Sequence, residues 1–122
     1  MPRVVHFEIP AEQPERASRF YSEVFGWQIQ KWPGPQDYWL ASTGPKERPG
    51  IDGGILPRHD PSQPVVNTIE VTSLDATVAT IEKHGGKIVV PRKAIPTIGW
   101  LAYFKDTEGN MFGVLEPDAN AK

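Results

Sequence analysis

Two stretches of the chain alternate apolar and polar side chains with a period of two. Val4 to Ile9 (VVHFEI) places Val5, Phe7 and Ile9 on one strand face and Val4, His6 and Glu8 on the other. Val66 to Val71 (VNTIEV) does the same, with Ile69 and Val71 opposed to Val66, Thr68 and Glu70. Each is followed by a stripe of helical period. Ala17, Phe20, Tyr21 and Val24 fall at i, i+3, i+4 and i+7, which predicts a helix over Pro14–Phe25 that packs this stripe on a sheet. Pro14 suits the first helical position, Glu15 suits the dipole, and Gly26 can take the left-handed turn that ends the helix. Trp27–Lys31, Tyr38–Ser42 and Gly53–Leu56 read as strands, separated by a Pro-Gly-Pro turn and the loop Thr43–Asp52.

The segment Pro57–Pro64 (PRHDPSQP) has the composition of a linker, and beyond it the order repeats. After the strand Val66–Val71, Ser73 can cap a helix whose stripe is Leu74, Val78 and Ile81 and which Gly85 can close. Gly86–Val90, Gly99–Phe104 and Met111–Leu115 are predicted strands, the last two joined by a hairpin turn over TEGN. Short residue echoes accompany the repeated order. Phe7-Glu8-Ile9 matches Ile69-Glu70-Val71 at an offset of 62, and Gly54-Ile55-Leu56 matches Gly113-Val114-Leu115 at 59. The reading is an α+β chain of two tandem βαβββ modules in one domain over residues 1–122. Module one spans 1–58, the linker 57–64, module two 65–117 and a tail 118–122.

Composition narrows the functional classes. With 122 residues there is room for one core, and 39% hydrophobic against 23% charged residues is the balance of a chain that folds unaided. A formal net charge of -2 and the absence of a basic run argue against a nucleic-acid partner. No apolar run is long enough for a membrane span, the N-terminus lacks a secretory core, and a cytoplasmic location is the default expectation. There is no cysteine, so disulfides, thiolate metal ligands and thiol nucleophiles are ruled out.

The run HFEIPAEQPERASRFYSEVFGW, the later GGKIVVP and the C-terminal DTEGNMFGVLEP together resemble the vicinal oxygen chelate (VOC) superfamily. That superfamily includes glyoxalases, bleomycin-resistance proteins and extradiol dioxygenases. The resemblance implies a VOC-type, partly open barrel of two βαβββ modules (the glyoxalase/bleomycin resistance fold), with substrate meeting metal in a cleft between modules and a homodimer as the common assembly. In metal-using relatives, ligands come from the first and last strands of each module. His6 matches the first ligand position. The first strand of module two offers Val66 or Thr68, and the last strands offer Gly54 and Gly113, which carry no side chain. Glu116, three residues past Gly113, points to the opposite strand face. The expectation is therefore no bound metal and no cofactor, the alternative being a non-standard site in which Glu8 and Glu70 join His6, serving a metal-dependent lyase or dioxygenase.

The candidate site residues are the polar members of the two alternating strands. His6 and Glu70 are candidate catalytic groups; His6, Glu8, Thr68, Glu70 and Trp100 are candidate substrate-binding residues. Two carboxylates near an imidazole favour a protonated His6 and a polar or cationic small-molecule ligand. A solvated sheet face is the plainer alternative for His6 and Glu8. Trp27 is expected in the core, and Arg92, Lys93 and Pro96–Gly99 in a loop covering the cleft, with Gly99 as a hinge. Two activities remain open at this point, a lyase or isomerase moving protons beside a carbonyl, and sequestration of a small compound without chemistry. A third possibility is a module that works with another chain.

Overall fold

The computed structural model describes residues 2–122. In chain order its elements are β1 (Arg3–Ala11), α1 (Pro14–Phe25), β2 (Gln28–Lys31), β3 (Trp39–Ser42), β4 (Asp52–Pro57), β5 (Val66–Glu70), α2 (Leu74–Lys83), β6 (Lys87–Ile95), β7 (Gly99–Lys105) and β8 (Met111–Pro117). The chain forms two compact units, His6–Val65 and Val66–Lys122, the latter together with the start of the chain through Val5. Within the first unit the strands lie in the order β2-β3-β4-β1, with β1 and β4 parallel and the other pairs antiparallel. Within the second they lie in the order β6-β7-β8-β5, with β5 and β8 parallel and the others antiparallel. The two units thus share one βαβββ topology, as the repeated pattern implies.

In the second unit the helical stripe packs as expected. Leu74, fully buried, joins Val71, Ala102 and Val114 in a core flanked by Ile69, Val78, Ile81, Trp100 and Phe104. The start of α2 is secured twice. Ser73 Oγ accepts from Ala76 N at 3.2 Å, and Glu116 Oε1 accepts from Leu74 N at 2.8 Å. A carboxylate there satisfies an orphan N–H and complements the helix dipole. Glu116 therefore points to the helix side of its sheet, as strand parity requires. At the other end His84 caps the helix and Gly85 follows with φ of 93°.

The first unit differs from the sequence expectation in the rotation of its helix. Phe20 and Val24 are 56% and 55% exposed, and the half-buried positions are instead Pro14, Ala17, Ser18, Tyr21 and Ser22. The cause is a ring stack. Tyr21 lies on Trp27 with centroids 5.0 Å apart, and Trp27 in turn meets Phe7 at 5.7 Å. Phe7 is admitted because its neighbour in β4 is Gly53, where an added Cβ would fall inside the Phe7 ring. Beneath this stack Ile55 is fully buried and Ala41 nearly so.

Strand β6 also departs from expectation. It runs on through Arg92 and Lys93 to Ile95, so those two residues are not in a loop. Its pairing with β7 shifts register between Ile88 and Val90 and again between Val90 and Lys93, and the second shift brackets Pro91, which has no N–H to give a ladder. Arg92 stacks over Trp100 at 4.3 Å and pairs with Asp75 at 2.7 Å. Gly99 is no hinge either. It is buried in β7, and a Cβ there would collide with the backbone of Glu116. Among the described residues no helix is long and apolar enough to cross a membrane.

Removing the carboxylate that holds the first turn of α2 is expected to weaken the second unit. Glu116→Ala should cost about 1–3 kcal/mol in equilibrium urea unfolding, with Glu116→Gln recovering part of it; no change in either variant would contradict the assignment.

Candidate functional site

Strand alternation in β1 sends Phe7 and Ile9 toward the ring stack and leaves His6 and Glu8 on the other face. In the parallel register with β4, His6 lies beside Asp52 and Glu8 beside Gly54. Gly54 is the residue that shapes the site. An added Cβ there would fall on the Tyr38 ring and its hydroxyl, so the missing side chain makes the space in which that ring lies. The Tyr38 hydroxyl is 2.6 Å from His6 Nε2 and donates to Glu8 Oε2 at 3.2 Å. One phenol therefore joins the two polar residues that β1 supplies.

His6 forms part of the wall of a cleft of about 440 Å³ together with Gln28, Gln30, Leu40, Ser42 and Asp52. The pairing of β2 with β3 sets Gln28 beside Ser42 and Gln30 beside Leu40, which places these side chains on one face. Thr43 steadies the carboxylate, giving Asp52 Oδ1 its backbone N–H at 2.9 Å, while its hydroxyl donates to the Ile51 carbonyl at 2.7 Å and lies 3.3 Å from Asp52 Oδ1.

The charge on His6 runs opposite to the sequence expectation. Burial lowers its pKa below the ordinary 6.5, and this outweighs Glu8 and Asp52, which each pull it upward. His6 is thus neutral at pH 7, because loss of water costs a half-buried cation more than two nearby carboxylates return.

Of the expected site residues, His6 and Glu8 are brought together. Thr68, Glu70 and Trp100 belong to the second unit. Thr68 is 4% exposed on the same sheet face as Gly113, where a Cβ would lie 3.0 Å from its Oγ1 and 3.3 Å from the Tyr103 ring. Glu70 is exposed. Trp100 packs on the α2 side against the core and donates its indole N–H to Asp118 at 3.0 Å. That placement gives the substrate-binding role expected of Trp100 no support. Sequence reading passed over Tyr38 as a bridge, and also Asp52, Gln28 and Gln30. The alternation in WQIQK and the paired glycines 53–54 facing ring-bearing strands were the available signals.

These residues do not fit a chelated divalent ion of the kind that metal-using vicinal oxygen chelate proteins hold. Such an ion needs about three protein ligands. Here the ring of Tyr38 covers Gly54, Thr68 and Tyr103 flank Gly113, and His6 Nε2 is engaged by Tyr38. Among the described residues no group of three His, Asp or Glu side chains converges.

Comparison with known proteins gives the following. The family model described as the Glyoxalase/Bleomycin resistance protein/Dioxygenase superfamily matches residues 3–114. A glyoxylase-like domain-containing protein of Didymella fabae is 32% identical over 113 residues, which are 88% of each chain. CFP32 of Mycobacterium bovis, a candidate glyoxylase by its name, is 28% identical over 117 residues, and the match spans only 42% of that longer protein. Among solved structures, methylmalonyl-CoA epimerase from Mycobacterium tuberculosis superposes with a TM-score of 0.70 at 14% identity, covering 94% of this chain and 87% of that one. At that identity the likeness is one of fold.

Two outcomes follow from this geometry. The unfolded chain takes up a proton on His6 near pH 6.5 and the folded chain only at lower pH, so stability is complete above 6.5 and declines as pH falls through the folded value. Urea midpoints measured from about pH 7 down to about pH 5 should fall more steeply for the native chain than for His6→Gln; parallel curves would contradict the neutral His6. Gly54→Ala, by forcing Tyr38 aside, should cost roughly 1–3 kcal/mol of stability and raise the His6 pKa toward 6.5 in an NMR titration.

Proposed function

Because this chain belongs to the Glyoxalase/Bleomycin resistance protein/Dioxygenase superfamily, we propose that it binds a small organic molecule in the cleft of its first βαβββ unit, with His6 as the polar anchor and no chelated ion. The observation that carries this reading is an imidazole in the cleft wall, held from behind by Tyr38, which in turn donates to Glu8. Amides at Gln28 and Gln30, a hydroxyl at Ser42 and the apolar Leu40 offer both polar and apolar contact, the mixture found in small-molecule sites.

A second reading is favoured by the same hydrogen-bonded chain. A neutral histidine with a phenol and a carboxylate behind it can take a proton from a bound molecule and stabilise the resulting cation. That would make the protein a lyase or isomerase acting beside a carbonyl, with His6 as base. Glu70, the other candidate base, is an exposed residue of the second unit and has less to support it. Sequestration without chemistry needs only the binding half of the proposal.

The test is a thermal-shift screen of small polar metabolites. A ligand at about 100 times its Kd adds roughly 2.7 kcal/mol of apparent stability. The shift should vanish in His6→Ala and persist in Glu70→Gln. A hit whose shift survives His6→Ala would overturn the assignment. Recovery of the ligand unchanged would mark sequestration, and its conversion, lost in His6→Ala, would mark the enzyme.

A further inference from the structure

The hydrogen bonds around Tyr38 fix more than the position of His6. A phenol has one proton, and Tyr38 gives it to Glu8 Oε2 at 3.2 Å. With that proton directed to Glu8, the 2.6 Å contact between the same oxygen and His6 Nε2 needs a proton on Nε2, and this is the tautomer on which the ligand class below depends. In a neutral imidazole the other nitrogen, Nδ1, is then a bare acceptor. Among the described residues Nδ1 has no hydrogen-bond partner, and the His6 ring lines the cleft.

Its neighbour across the register, Asp52, is also an acceptor. Thr43 takes Oδ1, and Oδ2 has no partner among the described residues. Among the described residues no lysine or arginine lines the cleft. The wall therefore presents a lone pair and a carboxylate side by side, with amides and a hydroxyl that adapt to either role.

We propose that the ligand of this cleft brings hydrogen-bond donors on a positive or strongly polarised group, an amidinium or primary ammonium, to His6 Nδ1 and Asp52, and that Tyr38 is the positioning residue that makes His6 an acceptor. An anionic ligand such as a carboxylate or phosphate would meet two acceptors and no cation. The proposal rests on the reading that this cleft holds a small molecule, and the tautomer can be measured without any ligand, so the two can fail separately.

The first measurement is the tautomer of His6 by long-range nitrogen–proton NMR on the full chain. The expected result is the Nε2–H form in the native protein and a mixture of both forms in Tyr38→Phe, which keeps the ring over Gly54. An Nδ1–H form in the native protein, or an unchanged tautomer in Tyr38→Phe, would overturn the role of Tyr38. The second uses benzamidine and benzoate, flat probes of similar shape and opposite charge, followed by the shifts of cleft amides. Benzamidine should move Asp52, Gln28 and Gln30, and Asp52→Asn should weaken it about tenfold, the equivalent of one charge-assisted hydrogen bond. Benzoate binding equally well would overturn the ligand class. If the tautomer is as expected and neither probe moves the cleft, the reading of the cleft as a ligand site is itself overturned.

Discussion

The contact on which the site depends is the Tyr38 phenol lying against Gly54. The hydroxyl meets His6 Nε2 on one side and Glu8 Oε2 on the other. Any side chain at position 54 would occupy the ring's place. Without the ring, Glu8 and His6 would lose the oxygen that joins them, and a half-buried imidazole would sit near Asp52 and Glu8 with no partner to set its orientation. One absent side chain thus decides whether this corner is a hydrogen-bonded relay or a place for a coordinating group.

The second unit answers the same vacancy differently. Gly113 occupies the matching place in β8, and the atoms near it are Thr68 Oγ1 and the Tyr103 ring. Thr68 is buried, and no imidazole stands next to it in β5. The two units therefore share their strand order and the glycines while differing in the chemistry at each. Among the described residues, the histidine of the first unit has no counterpart in the strands of the second.

Much of the architecture was legible because it depends on local pattern. The alternation in β1 and β5, the stripe Leu74, Val78 and Ile81, and the cap at Ser73 each follow from residues a few positions apart. The rotation of α1 was not legible, because Tyr21 turns toward Trp27 and Phe7, which come from outside the helix. The extent of β6 was missed because Pro91 reads as a strand breaker and a register shift accommodates it. At the site, sequence parity paired His6 with Glu8 correctly. It could not supply Tyr38, which is 32 residues from His6 and reaches it only through the registers of β3, β4 and β1. Nor could it give the charge on His6, since burial opposes the two carboxylates and only the folded surroundings decide the sign.

A phenol, and not a coordinating side chain, completes the corner around His6. Equilibrium dialysis of the native chain and of His6→Ala against zinc, nickel and manganese tests it directly. Bound metal should stay far below one equivalent per chain and be the same in both proteins; close to one equivalent in the native chain, lost in His6→Ala, would contradict the phenol-completed corner.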